Sequence, residues 1–422
     1  MNVKSLAHFL SYVGIRTLLF PFSCLSYKTL HRIGPVLSTL AFPFLKKYRK
    51  RALSNLSIAS SLNYSNSEIE RLAKESLSSL FITALEYGKL AKEKNIHTLV
   101  HCINPEEADD ILARGKGIIF FCAHQSNWEL LYLEGMNRMK GIAIGQPVAN
   151  QYLYRWILRI REKFGGKIVQ PHQSVKEGLK ALKKHIFLGI VGDQALPSGG
   201  YSSSFLGREA YSSPLPALLS HRSGCPIIFA TTIRKEGEYI IRYSPAIWPN
   251  LNLSMEEDVP LLMDQALSYL QSSIKHYPGQ WLWQHNKWKQ QSPGRIKKAY
   301  RHDTIAIFLP LDVEVAKQLM DEIRVLKDIY PSEFIGVFAP RGCSIDPNFS
   351  SETTYYSDLS HLKRKDYRFK LVFNFTSDRS LSKHFLRLAA FEVLTLSTLA
   401  RLSKAPLASL NLQLKKVILN AS

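Results

Sequence analysis

The chain has 422 residues, 45% of them hydrophobic, with 55 Lys plus Arg against 34 Asp plus Glu. That apolar content argues against disorder and suits two or three packed units, while a net charge of +21 calls for an anionic partner: nucleic acid, membrane phosphate or an acidic carrier. Five scattered cysteines (Cys24, Cys102, Cys122, Cys225, Cys343) contain no C-x-x-C pair, which argues against a disulfide framework or a zinc ribbon and fits a reducing, cytoplasm-facing environment.

The charge is unevenly spread. Residues 301–422 carry 17 basic and 13 acidic side chains, so most of the excess lies before them, and the first acidic residue of all is Glu68. A start that is apolar, neutral or basic is a membrane-facing composition. Leu6 to Tyr27 is long enough to cross a bilayer, at the usual requirement of about 20 apolar residues, but Arg16 and Pro21 interrupt it. A central Arg costs about 2.5–3.5 kcal/mol on insertion. A second apolar stretch, Gly34 to Leu45, runs into Lys46, Lys47, Arg49, Lys50 and Arg51, placed to meet anionic headgroups. The readings are a spanning anchor, in-plane amphipathic helices, a signal peptide (disfavoured, since no A-x-A-like site follows) and ordinary buried helices. Membrane attachment is the expectation, with spanning ahead of in-plane binding.

Ser65-Asn66-Ser67-Glu68 has capping-box spacing, and helical apolar periodicity runs from Glu68 to Lys92. Strands then alternate with helices: Gly117–Ala123, Ile186–Val191 and Ile227–Ile233 are buried-strand runs, with a helix from Leu130, so the fold class is an α/β core. Gln290-Gln291-Ser292-Pro293-Gly294 marks a boundary. Beyond it come strand Thr304–Leu309, helix Asp312–Ile329, strands Phe334–Phe338 and Phe369–Phe375, and helix Leu381–Leu402. The expected division is an N-terminal membrane and basic segment (1–60), a main domain (61–290) and a small α/β extension (300–422).

The chemistry concentrates at His124-Gln125-Ser126-Asn127-Trp128-Glu129, directly after a buried strand. Five residues apart on one helix, His and Glu point away from each other; with the His in the turn and the Glu in the first helical turn they can meet. Such a pair makes a general base, the carboxylate fixing the tautomer and stabilising the imidazolium. The competing reading is structural, since Ser126-x-x-Glu129 is itself a capping box.

The block G-I-I-F-F-C-A-H-Q-S-N-W-E resembles the H-x-x-x-x-[DE] motif of the late acyltransferases of lipid A biosynthesis, the lauroyl and myristoyl transferases, which are similar to glycerolipid acyltransferases. Four more blocks agree in order: Arg159–Gly166 with the family's Arg-containing segment, Gly192-Asp193-Gln194, Phe205-Leu206-Gly207 and Gln280-Trp281-Leu282-Trp283. Ser126 stands where many members have Gly, and residues 301–422 have no counterpart in the basic family pattern.

The resemblance implies a glycerolipid-acyltransferase-like core that moves a fatty acyl chain, lauroyl-like, from acyl carrier protein to a hydroxyl of a Kdo-bearing lipid A precursor, at the cytoplasmic side of a bacterial inner membrane. No metal or cofactor is required. His124 becomes the general base, Glu129 its orienting acid, and Arg161 a partner for a lipid A phosphate or the thioester oxyanion. Asp193 anchors Arg161 or another polar group. Trp281, Trp283 and Trp288 are assigned to packing. Acidic carrier, phosphorylated acceptor and anionic membrane surface account for the charge without nucleic acid, and no RNA-binding signature, zinc finger or P-loop is present. The alternatives are transfer to a glycerolipid or glycosylated phospholipid, and a catalytically silent basic membrane scaffold.

Overall fold

The computed structural model describes residues 3–290, 294 and 296–420; part of the expected boundary stretch, residues 291–293, lies outside them. The chain opens with α1 (Val3–Leu19), α2 (Tyr27–Ala41), α3 (Lys46–Ile58) and the long α4 (Asn66–Leu90). Ser65 and Glu68 cap α4 reciprocally, as their spacing predicts. Pro21 opens a short 3-10 turn that stops α1.

Among the described residues no helix is long and apolar enough to cross a membrane, so the spanning expectation finds no helix to carry it. The interrupting Arg16 faces the protein, its guanidinium 4.9 Å from the Trp156 ring centroid. Nor is α3 a detached basic segment. Ala52, Leu53, Leu56 and Ile58 belong to the main core, and within the basic cluster Lys46 and Lys47 are exposed while Lys50 donates to the Ala390 carbonyl at 2.5 Å.

The main unit is a seven-stranded sheet. Its strands are β1 (Val100–Cys102), β2 (Ile118–Cys122), β3 (Gly141–Ile144), β4 (Lys167–Val169), β5 (Phe187–Val191), β8 (Ile227–Arg234) and β9 (Tyr239–Tyr243), in spatial order β1-β9-β8-β2-β5-β3-β4. All neighbours are parallel except β8 with β9. The intervening helices are α5 (Glu106–Ala113), α6 (Glu129–Arg138), α7 (Gln151–Arg161), α8 (Ser174–Lys183) and α9 (Leu215–Ser223), and α10 (Met255–His276) follows β9. Burial on both faces explains why β2, Ile-Ile-Phe-Phe-Cys, is continuously apolar.

Strands β6 (Tyr201–Phe205) and β7 (Arg208–Ser212) form a separate hairpin. Its turn is Leu206-Gly207, with φ of 52° and 87°, the left-handed pair that a two-residue hairpin needs. Gly207 is further required because a Cβ there would lie 2.5 Å from Ser60 Oγ and 2.7 Å from Ser61 N.

The last unit is a wholly parallel five-stranded sheet, ordered β12-β11-β10-β13-β14, from β10 (Thr304–Phe308), β11 (Phe334–Pro340), β12 (Glu352–Tyr356), β13 (Leu371–Asn374) and β14 (Glu392–Thr395). Two expected helices are corrected here, and one strand outside them is added. The half-polar edge strand β12 was not anticipated, and the helix expected over Leu381–Leu402 is instead α13 (Arg379–Arg387), β14 and α14 (Leu396–Ser403). The β-rich run Glu392-Val393-Leu394-Thr395 pairs with β13 and breaks the helical pattern. Helix Asp312–Ile329 likewise divides into α11 (Val313–Ile323) and α12 (Val325–Ile329); α15 (Leu410–Ile418) closes the unit. The two units share core, since Tyr367 and Ala389 pack with the main hydrophobic cluster.

Candidate active site

Strands β2 and β5 are parallel neighbours in the register Cys122↔Val191. Two residues beyond each lie His124 and Asp193, so the pairing of two apolar strands brings an imidazole and a carboxylate side by side. His124 Nδ1 is 2.7 Å from Asp193 Oδ1, and the His124 backbone N–H donates to Asp193 Oδ2 at 3.0 Å. The Trp281 indole N–H donates to that same Oδ2 at 2.8 Å. Asp193 is fully buried. Burial alone would raise its pKa, but the opposing attraction of His124 and the donated hydrogen bonds hold it well below the usual carboxylate range. An ionised Asp193 can only accept, so the His124 proton sits on Nδ1 and Nε2 is left as the basic nitrogen. Burial lowers the imidazole pKa, the adjacent carboxylate raises it, and the balance stands above 6.5.

Glu129 is not the partner of His124. It opens α6, where its carboxylate is held by Arg161 at the end of α7, Nε to Oε2 at 2.7 Å and Nη2 to Oε1 at 2.5 Å, while Tyr87 of α4 donates to Oε1 at 2.5 Å. The expected roles are therefore redistributed: Asp193 orients His124, and Glu129 binds Arg161. Burial opposes the Glu129 charge, yet the guanidinium keeps its pKa below the ordinary value, and Arg161 in turn is held charged far above its own. The Ser126 capping box does not form either. Asn127 Oδ1 accepts the Glu129 N–H at 3.2 Å, and Ser126, at φ 53°, leaves its buried hydroxyl without a partner among the described residues.

The loop is tied from behind. Asn127 donates to Glu86 at 2.7 Å, and the Thr83 hydroxyl donates to the Ser126 carbonyl at 3.0 Å. On the other side Gln125 pairs with Trp281 as an isolated antiparallel bridge, and the Ser126 N–H donates to the Gln280 carbonyl at 2.7 Å.

His124, Glu129 and Arg161 line a cavity of about 320 Å³ that runs beneath α6 along the sheet, over Phe120, Phe187, Ala143, Gly189 and Ala230. The lining is mixed, with Tyr132, Gln146, Gln194 and Tyr243 among the apolar side chains. Gly135 keeps the cavity open, since a Cβ there would stand 3.2 Å from the Phe187 ring. His124 Nε2 faces the Gln194 amide at 3.5 Å, and Trp128 packs edge-on to the imidazole at 4.8 Å. Among the described residues, no three His, Cys, Asp or Glu side chains stand close enough together to hold a metal ion.

All four expected residues thus meet at one place. Sequence reasoning missed Tyr87 and Trp281; the tryptophan was assigned to packing, and it does pack, against Trp283 at 4.6 Å between ring centroids, while its N–H holds the carboxylate. The available signal was the Q-W-x-W block itself.

No curated relative matches the chain. The sequence profile described as bacterial lipid A biosynthesis acyltransferase matches residues 2–290, a span that takes in His124, Glu129, Arg161, Asp193 and Trp281. A match over more than half of the chain, ending as the main unit ends, makes this protein a member of the bacterial lipid A biosynthesis acyltransferase family.

Proposed function

We propose that the protein transfers a fatty acyl chain, lauroyl-like in length, from acyl carrier protein to a hydroxyl of a Kdo-bearing lipid A precursor on the cytoplasmic face of a bacterial inner membrane. The observation that carries this reading is the His124–Asp193 pair on the cavity that Glu129, Arg161 and the sheet residues also line. His124 Nε2 removes the proton of the acceptor hydroxyl while its oxygen attacks the thioester carbonyl. Asp193 remains ionised and stabilises the imidazolium. As the tetrahedral intermediate collapses, the new ester C–O bond stays, the C–S bond breaks, and the imidazolium returns its proton to the departing thiolate. Arg161 spends Nε and Nη2 on Glu129 and has Nη1 on the side of the cavity-lining Gly145, a fixed positive charge for the oxyanion or an acceptor phosphate. The reaction as written needs no cofactor beyond the acyl carrier.

Membrane attachment is proposed to be in-plane. The face of α1 bearing Ser5, Phe9, Tyr12 and Arg16 meets Tyr152 and Trp156 of α7, while Val3, Leu6, Leu10 and Val13 project from the opposite side. Val36 and Leu40 of α2 and Phe44 after it are likewise exposed, Lys46 and Lys47 follow them, and no acidic residue precedes Glu68.

The test is incubation of the purified protein with acyl-acyl carrier protein and a Kdo-bearing precursor, followed by mass spectrometry. One added acyl chain with wild type and none with folded His124→Ala is expected. A folded wild type that leaves the thioester and the acceptor unchanged would overturn the proposal, as would full activity in His124→Ala.

A further inference from the structure

The segment from Gln280 to Trp288 holds the His124–Asp193 pair in place. Trp281 donates to Asp193, and the Leu282 N–H donates to the His124 carbonyl at 3.0 Å. The His285 ring stacks beside His124, 6.3 Å between centroids and 15° from parallel. The segment itself is held from two sides: on one, the Ser76 hydroxyl of α4 donates to the Trp281 carbonyl and accepts the Trp283 N–H at 3.0 Å. On the other, Asn55 of α3, fully buried, donates through Nδ2 to the carbonyls of Trp283, at 2.8 Å, and of His285.

The other end of that amide leads into the C-terminal unit. Lys370, just before β13, donates from Nζ to Asn55 Oδ1 at 3.0 Å, to Asn286 Oδ1 at 2.8 Å, and to Asp303 at 2.8 and 3.0 Å. An ammonium has three protons, and these three side chains take them. Lys370 and Asp303 are both buried, so in this low-dielectric place the partners are held firmly. Two of the three grip the segment behind the active site.

We infer that Lys370 is a positioning residue for the acyl-transfer site: through Asn286 and Asn55 the C-terminal unit holds residues 283–286, completing the grip of α4 on Trp281, and so helps keep the Asp193 carboxylate against His124. The consequence for catalysis rests on the proposed role of His124, whereas the effect on the imidazole does not. The groups that face His124 are Asp193 after β5, Glu129 of α6, Arg161 of α7 and His285 of the segment. Loosening the segment relaxes Asp193 and His285 and leaves the Glu129–Arg161 pair alone.

The variant to use is Asn286→Ala in the full chain, because it removes one grip on the segment and keeps the Lys370–Asp303 pair. With histidine labelled at Cε1, the His124 midpoint is read by NMR. Expected is a downward move of roughly 0.5–1 pH unit, a roughly tenfold slower transfer and a modestly lowered melting temperature, since one buried Lys370 donor loses its acceptor. Asn286→Gln, neutral and still an acceptor for Lys370, should move the midpoint back toward the wild-type value. A folded Asn286→Ala chain with an unmoved His124 titration overturns the inference. If His124→Ala retained full activity, the general-base proposal would fail instead, and the titration would still decide the role of Lys370.

Discussion

At His124 the sign of the pH dependence follows from the pair. The base acts when unprotonated, and Asp193 holds its pKa above 6.5, so turnover should fall as pH drops through that raised value. Asp193→Asn removes the opposing charge and leaves burial to lower the imidazole pKa. The acid limb of kcat/KM should then move to lower pH, with a plateau reduced roughly 10²- to 10⁴-fold, and the His124→Ala/Asp193→Asn double variant should be little worse than His124→Ala alone. Glu129→Gln should behave differently. It deprives a largely buried guanidinium of its counter-charge, for a stability loss of roughly 3 kcal/mol, the low end for a broken buried pair because Gln still accepts from Nη2. Its limb should move less than that of Asp193→Asn; a larger move would return Glu129 to the role of orienting acid. Ser126 offers the opposite change. A non-glycine residue in the left-handed region costs about 1–2 kcal/mol, and glycine gives back about 0.4–1 kcal/mol through the unfolded chain. Ser126→Gly, which also deletes an unpartnered buried hydroxyl, should therefore raise stability by about 0.5–1 kcal/mol in urea titrations, and a loss of that size would show that the hydroxyl has a role.

At the level of elements, the apolar runs of β2, β5 and β8 and the capping box of α4 were legible because burial and local hydrogen bonding write themselves into neighbouring residues. The partner of His124 was not, because it lies 69 residues away and becomes adjacent only through the β2–β5 pairing. A local search naturally chose Glu129, which stands in the same block. Setting the two strand ends side by side, Cys122-Ala123-His124 against Val191-Gly192-Asp193, puts the His and the Asp at the same offset, so the information was present once adjacency was known. The N-terminal helices have the same character: composition marked them as membrane-facing, but which side of α1 faces outward depended on its contact with α7. Leu10→Glu/Val13→Glu changes only exposed positions, so the melting temperature should hold while binding to anionic vesicles weakens roughly tenfold or more. Unchanged co-sedimentation with vesicles would remove α1 from the proposed membrane surface.

On the scale of the whole molecule, the sequence reads residues 300–422 as a small appended extension, which a cut near Lys297 would remove. The packing ties that extension to the main unit. Such a cut would uncover Asn55 and strip Tyr367 and Ala389 from the main core, along with the ammonium that grips Asn286. The truncated chain should therefore aggregate or lose activity, and the full chain should melt in one calorimetric transition, since a shared core couples the two sheets. The buried pair provides the sharper measurement. Lys370→Met leaves Asp303 charged, buried and without its ammonium, which should lower stability by about 3–5 kcal/mol. Adding Asp303→Asn removes the stranded charge and should recover more than half of that loss, although Asn55 and Asn286 still lack a donor. Because the pair lies where the units meet, the single variant should shift the whole transition to lower temperature. Two separated transitions, with Lys370→Met moving only one, would mean that the C-terminal sheet folds on its own account and that its grip on the catalytic segment is incidental.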